Sequence, residues 1–147
     1  RYAVATMCVG VGQGVALAGA VQFNVDCGDE CEMEVQVLPD GPVIGISQSL
    51  GPGSQGCRLD AGALETAVAE VAARMAGARL LIVNKFGKHE AEGRGFRALI
   101  AEALAAGVPV LLGVNAMNMQ AFQEFAGDLA EPVLPDTLDA WLAEVLA

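Results

Sequence analysis

Positive charge is scarce in this chain. It carries 8 Lys and Arg against 18 Asp and Glu, a formal charge of −10 over 147 residues. A surface of that sign repels nucleic acid and anionic lipid, which excludes general nucleic-acid binding. Aromatic residues are scarce, at 5%, while 54% of the chain is hydrophobic and 18 residues are glycine. That composition suits an Ala/Val/Leu/Gly-rich α/β fold and argues against disorder. Long apolar runs are missing, because glycine and polar residues break each one well short of a membrane span. No membrane insertion is expected. The first residues, Arg1-Tyr2-Ala3-Val4, lack the basic region, long apolar region and cleavage site of a secretory signal, so a cytoplasmic location is expected. The length fits a single α/β domain over 1–147 and leaves self-association open.

Cysteine is limited to Cys8, Cys27, Cys31 and Cys57. Cytosolic thiols are usually reduced, and Cys27-x3-Cys31 is no strong zinc spacing by itself. Free thiols are the simplest account. If the hairpin described below folds back over the sheet, Cys31 and Cys57 approach each other, and they are the candidate pair for a metal or a redox function. A disulfide would need their Cα atoms within about 7 Å.

What the chain does have is one dense polar stretch. Leu80-Leu81-Ile82-Val83 reads as a buried strand. The apolar run then stops, and Asn84, Lys85, Lys88, His89, Glu90, Glu92 and Arg94 follow within eleven residues, with Gly87, Gly93 and Gly95 among them. In an open α/β sheet ligands bind beyond the carboxyl ends of strands. Asn84, Lys85, Gly87, Lys88, His89, Glu90, Glu92 and Arg94 are therefore the candidate ligand site. Lys85, Lys88 and Arg94 would face a small anion, with Glu90 and Glu92 orienting them by ion pairing or helping to hold a metal. His89, the sole histidine, would make binding sensitive to pH. The competing reading is a solvated connection whose charges pair with one another, worth roughly 0–1 kcal/mol per pair.

The rest of the chain gives alternating elements. Arg1–Met7 and Val15–Phe23 read as strands joined by a glycine-rich link, Cys8 to Gly14. That link is too short for a parallel crossover. It also lacks the G-x-x-x-x-G-K-[ST] string that cradles nucleotide phosphates, so a turn is the simpler reading. Cys31–Leu38 alternates cleanly, and Pro39-Asp40-Gly41-Pro42 turns it into a hairpin with Val43–Ile46. Residues 47–57 form a loop, open to use as a lid or as a plain connection. From Asp60 the order is helix, strand, helix, strand, helix, short strand, helix. Asp60, Asn118 and Asp136 are expected to cap helices. This alternation predicts a mainly parallel sheet with helices on both faces, and Val108–Val114 parallel to Leu80–Val83.

The polar stretch also carries a resemblance. Asn84-Lys85-Phe86-Gly87-Lys88-His89-Glu90-Ala91-Glu92-Gly93-Arg94-Gly95, with Gly56-Cys57-Arg58-Leu59-Asp60 upstream and Pro109-Val110-Leu111 downstream, resembles a bacterial family of unknown function. Genes of that family often lie beside molybdate transporters. The likeness covers roughly Val21 to Trp141. More distantly, the loop is similar to the I-D-E-I-G-K-M-E segment of small P-loop nucleoside triphosphatases. There Asn84 and Lys85 take the places of the acidic pair and Glu90 that of the last Glu. An Asn-Lys pair cannot position a magnesium-bound water or act as a general base.

The resemblance implies a P-loop-like fold and a nucleotide-binding protein in molybdenum uptake or cofactor metabolism, with weak or no hydrolysis of ATP or GTP with magnesium. Two other readings stay open. One is a non-catalytic sensor of molybdate, phosphate or a metal; the other is a structural or interaction domain on a degenerate fold. Separately, Arg1–Leu17 resembles the final strand pair of thiolases, with Cys8 at their proton-transfer cysteine. The nucleophilic cysteine and G-H-P segments of thiolases have no counterpart here, so that likeness implies a strand pair and no Claisen chemistry.

Overall fold

Residues 16–26, 31–48, 50–51 and 58–147 are described by a computed structural model. The strand expected at Arg1–Met7, and Cys8, Cys27 and Cys57, lie outside the described residues. Five strands form one sheet: β1 (Leu17–Asp26), β2 (Cys31–Leu38), β3 (Val43–Gly45), β4 (Leu80–Phe86) and β5 (Val110–Val114). Their spatial order is β3-β2-β1-β4-β5. The helices are α1 (Ala61–Ala72), α2 (Lys88–Ala91), α3 (Arg97–Ala105), α4 (Met119–Ala126) and α5 (Leu138–Val145).

The sheet is mixed, which corrects the expectation of a mainly parallel one. β1 runs parallel to β4, and β4 parallel to β5, as the apolar runs of β4 and β5 implied. β1 and β2, and β2 and β3, are antiparallel. Chain length explains this half. Only four residues separate Asp26 from Cys31, and four separate Leu38 from Val43, so no crossover helix fits at either place. The second turn closes through Gly41 N donating to Val37 O and Val37 N donating to Pro42 O, both at 3.0 Å. Gln36 Nε2 braces it by donating to Gly41 O at 2.9 Å.

Register sorts the side chains. Ala18 and Ala20 pair with Leu81 and Val83 on β4, and Ala20 pairs with Val37 on β2. These residues share one face and are buried with Val35. Leu64, Ala67 and Val71 of α1 join the same cluster, as do Leu99, Ile100 and Ala103 of α3, with Phe122 and Phe125 of α4 packed against it. Leu80, at 3% exposure, is buried outside this cluster. Arg79 donates to Leu146 O, which ties the end of α5 to the start of β4. On the β1–β2 hairpin the opposite face is open enough to leave Phe23 exposed.

Helix starts follow local chemistry, with exceptions. Asp60 caps α1 by accepting from Ala63 N at 3.0 Å. Its own N–H donates to Ile46 O, which docks the helix start on the sheet beyond β3. The cap expected at Asn118 belongs instead to Asn115, whose Oδ1 accepts from Asn118 N and Asn118 Nδ2 in a 3-10 turn ahead of α4. Asp136 does not cap α5. Thr137 precedes that helix, and its hydroxyl is engaged with the backbone of Leu134. Pro132 to Leu134, expected as a short strand or an extended link, forms no strand.

β4 continues three residues past the end its apolar run implied. Val83 pairs with Leu112, but Phe86 pairs with Val114, so β4 has one extra residue against β5. This bulge returns Phe86 to the face of Val83, where it is fully buried against Phe122 and Phe125. Gly113 lies opposite the bulge. A Cβ there would stand 2.1 Å from Asn84 O, whereas one at Gly45 would meet nothing within 4 Å. The clash is with backbone and cannot be relieved by a rotamer change. Gly113→Ala should therefore cost about 1–3 kcal/mol of stability in chemical denaturation, while Gly45→Ala should stay within about 0.5 kcal/mol of wild type.

Candidate functional site

The polar stretch begins inside the sheet. Asn84 lies where the β1–β4 ladder ends at Ala20 and Val83. Its Oδ1 accepts from Gln22 N at 2.7 Å and its Nδ2 donates to Gln22 O at 2.8 Å. The side-chain amide thus stands in for one more backbone pair of the ladder. Each bond is of ordinary strength, but together they seal a partly buried stretch of β1 backbone that would otherwise be unpaired. Lys85 is exposed. Phe86 anchors the strand end in the core.

Gly87 then opens a tight turn closed by α2. Ala91 N donates to Gly87 O, Glu92 N to Lys88 O, and Arg94 N to His89 O at 2.7 Å. Gly93 and Gly95 take φ values of +90° and +60°, the left-handed region that glycine enters without a Cβ penalty. A sequence this rich in polar residues therefore folds as a compact turn at the carboxyl end of β4, and not as an extended loop.

Glu90 sits at the centre of that turn. It is 4% exposed, the one buried charged residue among those described. Its Oε1 accepts from Gly87 N at 3.4 Å, and its Oε2 has no hydrogen-bond partner among the described residues. Oε2 lies against Gly95, where a Cβ would stand only 2.3 Å away. Burial pushes the Glu90 carboxyl up from 4.5 to about 7. The Gly87 hydrogen bond and the Lys85 charge act in the opposite direction, and the Glu65 charge adds to the rise. Glu65, on α1, accepts from Gly95 N at 2.9 Å, so two carboxylates converge on that glycine.

The cations divide into two kinds. Lys88 Nζ lies 3.8 Å from Glu92 Oε1, and Arg94 donates to Glu92 Oε2. The Arg94 bond, with the Lys88 charge, holds the Glu92 carboxyl below its ordinary value. Lys88 is 79% exposed. Lys85 makes no ion pair among the described residues, and its side chain fills the space a Cβ at Gly87 would face. His89 is half-buried, with its carbonyl taken by Arg94 N. The structure thus gathers Gly87, Lys88, His89, Glu90, Glu92 and Arg94 on one turn with Lys85 beside it, and commits Asn84 to the sheet. Glu90 pairs with neither Lys88 nor Arg94; Glu92 alone does so.

Two participants carried no mark in the sequence. Arg97 Nη1 donates to Glu90 O at 3.3 Å and Ala91 O at 3.4 Å, while its guanidinium lies 4.8 Å from the centre of the Phe125 ring. It ties the turn to α4. Glu65 reaches Gly95 across 30 residues of sequence. The Glu65–Gly95 and Arg97–Phe125 contacts join distant segments, and the bonds of Arg97 to the Glu90 and Ala91 carbonyls, seven and six residues back, depend on how the turn folds. Among the described residues, no group of three or more His, Cys, Asp or Glu side chains is placed to hold a metal ion. The Cys31–Cys57 pair lies outside the described residues, since Cys57 is not among them.

The buried Glu90 has a consequence for stability. Between pH 4.5 and about 7 the folded chain keeps a proton that the unfolded chain has released. Stability therefore falls as pH rises through that window, and this group adds no further slope above it. At about 1.4 kcal/mol per unit the full effect is about 3 kcal/mol. Denaturant melts from pH 4.5 to 8 should show the decline in wild type and a flatter profile in Glu90→Gln.

No helix among the described residues is long and apolar enough to cross a membrane. The chain is 38% identical over 133 residues, 87% of its length, to "Molybdenum import ATP-binding protein ModC 2" of Bradyrhizobium diazoefficiens. The chain spans about 15% of that relative's length. No solved structure matches. A protein family described as "Protein of unknown function (DUF2478)" matches residues 6–141, which take in the whole sheet, the Glu90 turn and most of the thiolase-like stretch. The chain belongs to that family.

Proposed function

We propose that the chain is a nucleotide-binding, nucleoside-triphosphatase-like domain serving molybdenum uptake or cofactor metabolism, with feeble or absent hydrolysis. The observation that carries this reading is Lys85. It is an exposed cation without an ion pair among the described residues, at the carboxyl end of a parallel strand. That is where open α/β sheets take their ligands. Lys88 and Arg94, one turn further on, supply two more donors for phosphate oxygens. The relative, named an ATP-binding protein of molybdenum import, supports both the ligand class and the setting.

Hydrolysis is expected to fail for two reasons. The sequence has no G-x-x-x-x-G-K-[ST] string to grip the β- and γ-phosphates. Asn84 and Lys85 stand where an acidic pair would position water. The Asn84 amide is committed to Gln22, and Lys85 has the wrong charge. Magnesium would then arrive with ATP or GTP and be held mainly by the nucleotide.

A second reading is a sensor of molybdate or phosphate. Its support is that Lys88 and Arg94 share one carboxylate, Glu92, which a doubly charged oxyanion would replace.

Titration with ATP–magnesium and with molybdate separates the readings. Lys85→Ala and Lys88→Ala should each weaken the true ligand by about tenfold, the loss of one charged hydrogen bond. Unchanged affinity for every anion, with the fold intact, would assign the turn to scaffolding and the chain to a structural or interaction role. Purified protein should show no robust magnesium-dependent turnover of ATP or GTP.

A further inference from the structure

We propose that Glu90 is a proton-operated latch on the 87–95 turn: neutral, its carboxyl stays folded against Gly95 and holds the turn shut; ionised, it leaves that pocket and releases the segment carrying Lys88 and Arg94. Geometry carries the case. The side chain is 4% exposed, Oε2 is unpartnered among the described residues, and Gly95 packs so closely that even a methyl group would not fit between them. An uncharged carboxyl tolerates such a place, whereas a carboxylate there lacks the hydrogen bonds its charge demands.

Gly93 and Gly95 of the turn are both at positive φ. Besides the backbone bonds within the turn, the carboxyl itself and side chains of neighbouring helices hold it in place. Gly87 N holds Oε1 through a long bond, Glu65 on α1 holds Gly95 N, and Arg97 on α3 holds the Glu90 carbonyl. The charges bearing on the carboxyl come from Lys85 on β4, which favours ionisation, and Glu65 on α1, which opposes it. On the side of α4, Phe125 faces Arg97. Lys88, His89 and Glu92 share the turn itself, with Lys88 and Glu92 paired. Burial outweighs the Lys85 charge and sets the transition near neutral pH, at about 7.

The latch does not depend on what the turn binds; its effect on ligand rests on the anion site proposed above. An ionised Glu90 would put negative charge beside Lys85 and loosen Lys88 and Arg94, so anion affinity falls as pH rises.

The test is nuclear magnetic resonance of the ligand-free chain from pH 5.5 to 8.5. The Gly87, Gly93 and Gly95 amides should titrate together with a midpoint near 7, and their exchange protection factors should drop by about tenfold or more above it. Glu90→Gln should abolish the transition and keep the turn protected at pH 8.5. His89→Gln should leave it in place, and a transition lost with His89 instead would overturn the latch. If Glu90→Gln does not fold, the Glu90 carboxyl carbon is followed in wild type, where a midpoint below 5.5 overturns the proposal. In a second arm, ATP–magnesium affinity should fall about tenfold from pH 6 to 8.5 in wild type and stay level in Glu90→Gln. A transition without any nucleotide binding leaves the latch standing and sinks the nucleotide reading. Binding without a transition does the reverse.

Discussion

Strand β4 is held at its carboxyl end by contacts that leave no room for adjustment, and the candidate site depends on them. On one side the Asn84 amide replaces a backbone pair with Gln22. On the other, Gly113 lets the β5 backbone approach Asn84 O across the bulge. The bulge turns Phe86 into the core beneath Phe122 and Phe125. A strand end fixed on both edges and from below gives the following turn a rigid base. Only then can a carboxyl such as Glu90 be held in a buried position without being expelled to water.

Two carboxylates two residues apart show how far environment governs charge here. Glu90 is enclosed and rises to about 7, whereas Glu92 is exposed beside Arg94 and Lys88 and is held low. Their identity and spacing in the sequence are alike. The difference comes from where each falls on the turn: Glu90 within the four-residue helix, inward against Gly95, and Glu92 just past its end, outward towards two cations. Arg97 contributes without facing any ligand position, because it grips the carbonyls of Glu90 and Ala91 while stacking on Phe125. The turn is thereby linked to α3 and α4 as well as to β4.

Much of the fold was legible in local patterns. Alternation along Cys31–Leu38, the Pro39–Pro42 turn, the Asp60 cap and the apolar β4 and β5 each rest on interactions between near neighbours, and each is present. The short links after β1 and β2 were also visible, and they dictate antiparallel pairing, although the helix–strand alternation from Asp60 onward pointed to a mainly parallel sheet. The polar stretch announced itself by density of charge alone. Its pairing did not follow from order, because Asn84 looks the same in sequence whether it meets a ligand or a strand.

The sequence by itself determined the alternation of helix and strand from Asp60 to β5, the hairpin, the parallel β4–β5 pair and the position of the polar turn at a strand's carboxyl end. These depend on periodicity, turn residues and link length, all of which act over a few residues. Only the tertiary structure decided that Asn84 belongs to β1, that Glu65 and Arg97 brace the turn, and that Glu90 is buried while Glu92 is not. The Asn84 and Glu65 contacts require segments 62 and 30 residues apart to meet, and the energy of a polar group is fixed by what surrounds it once the chain has folded.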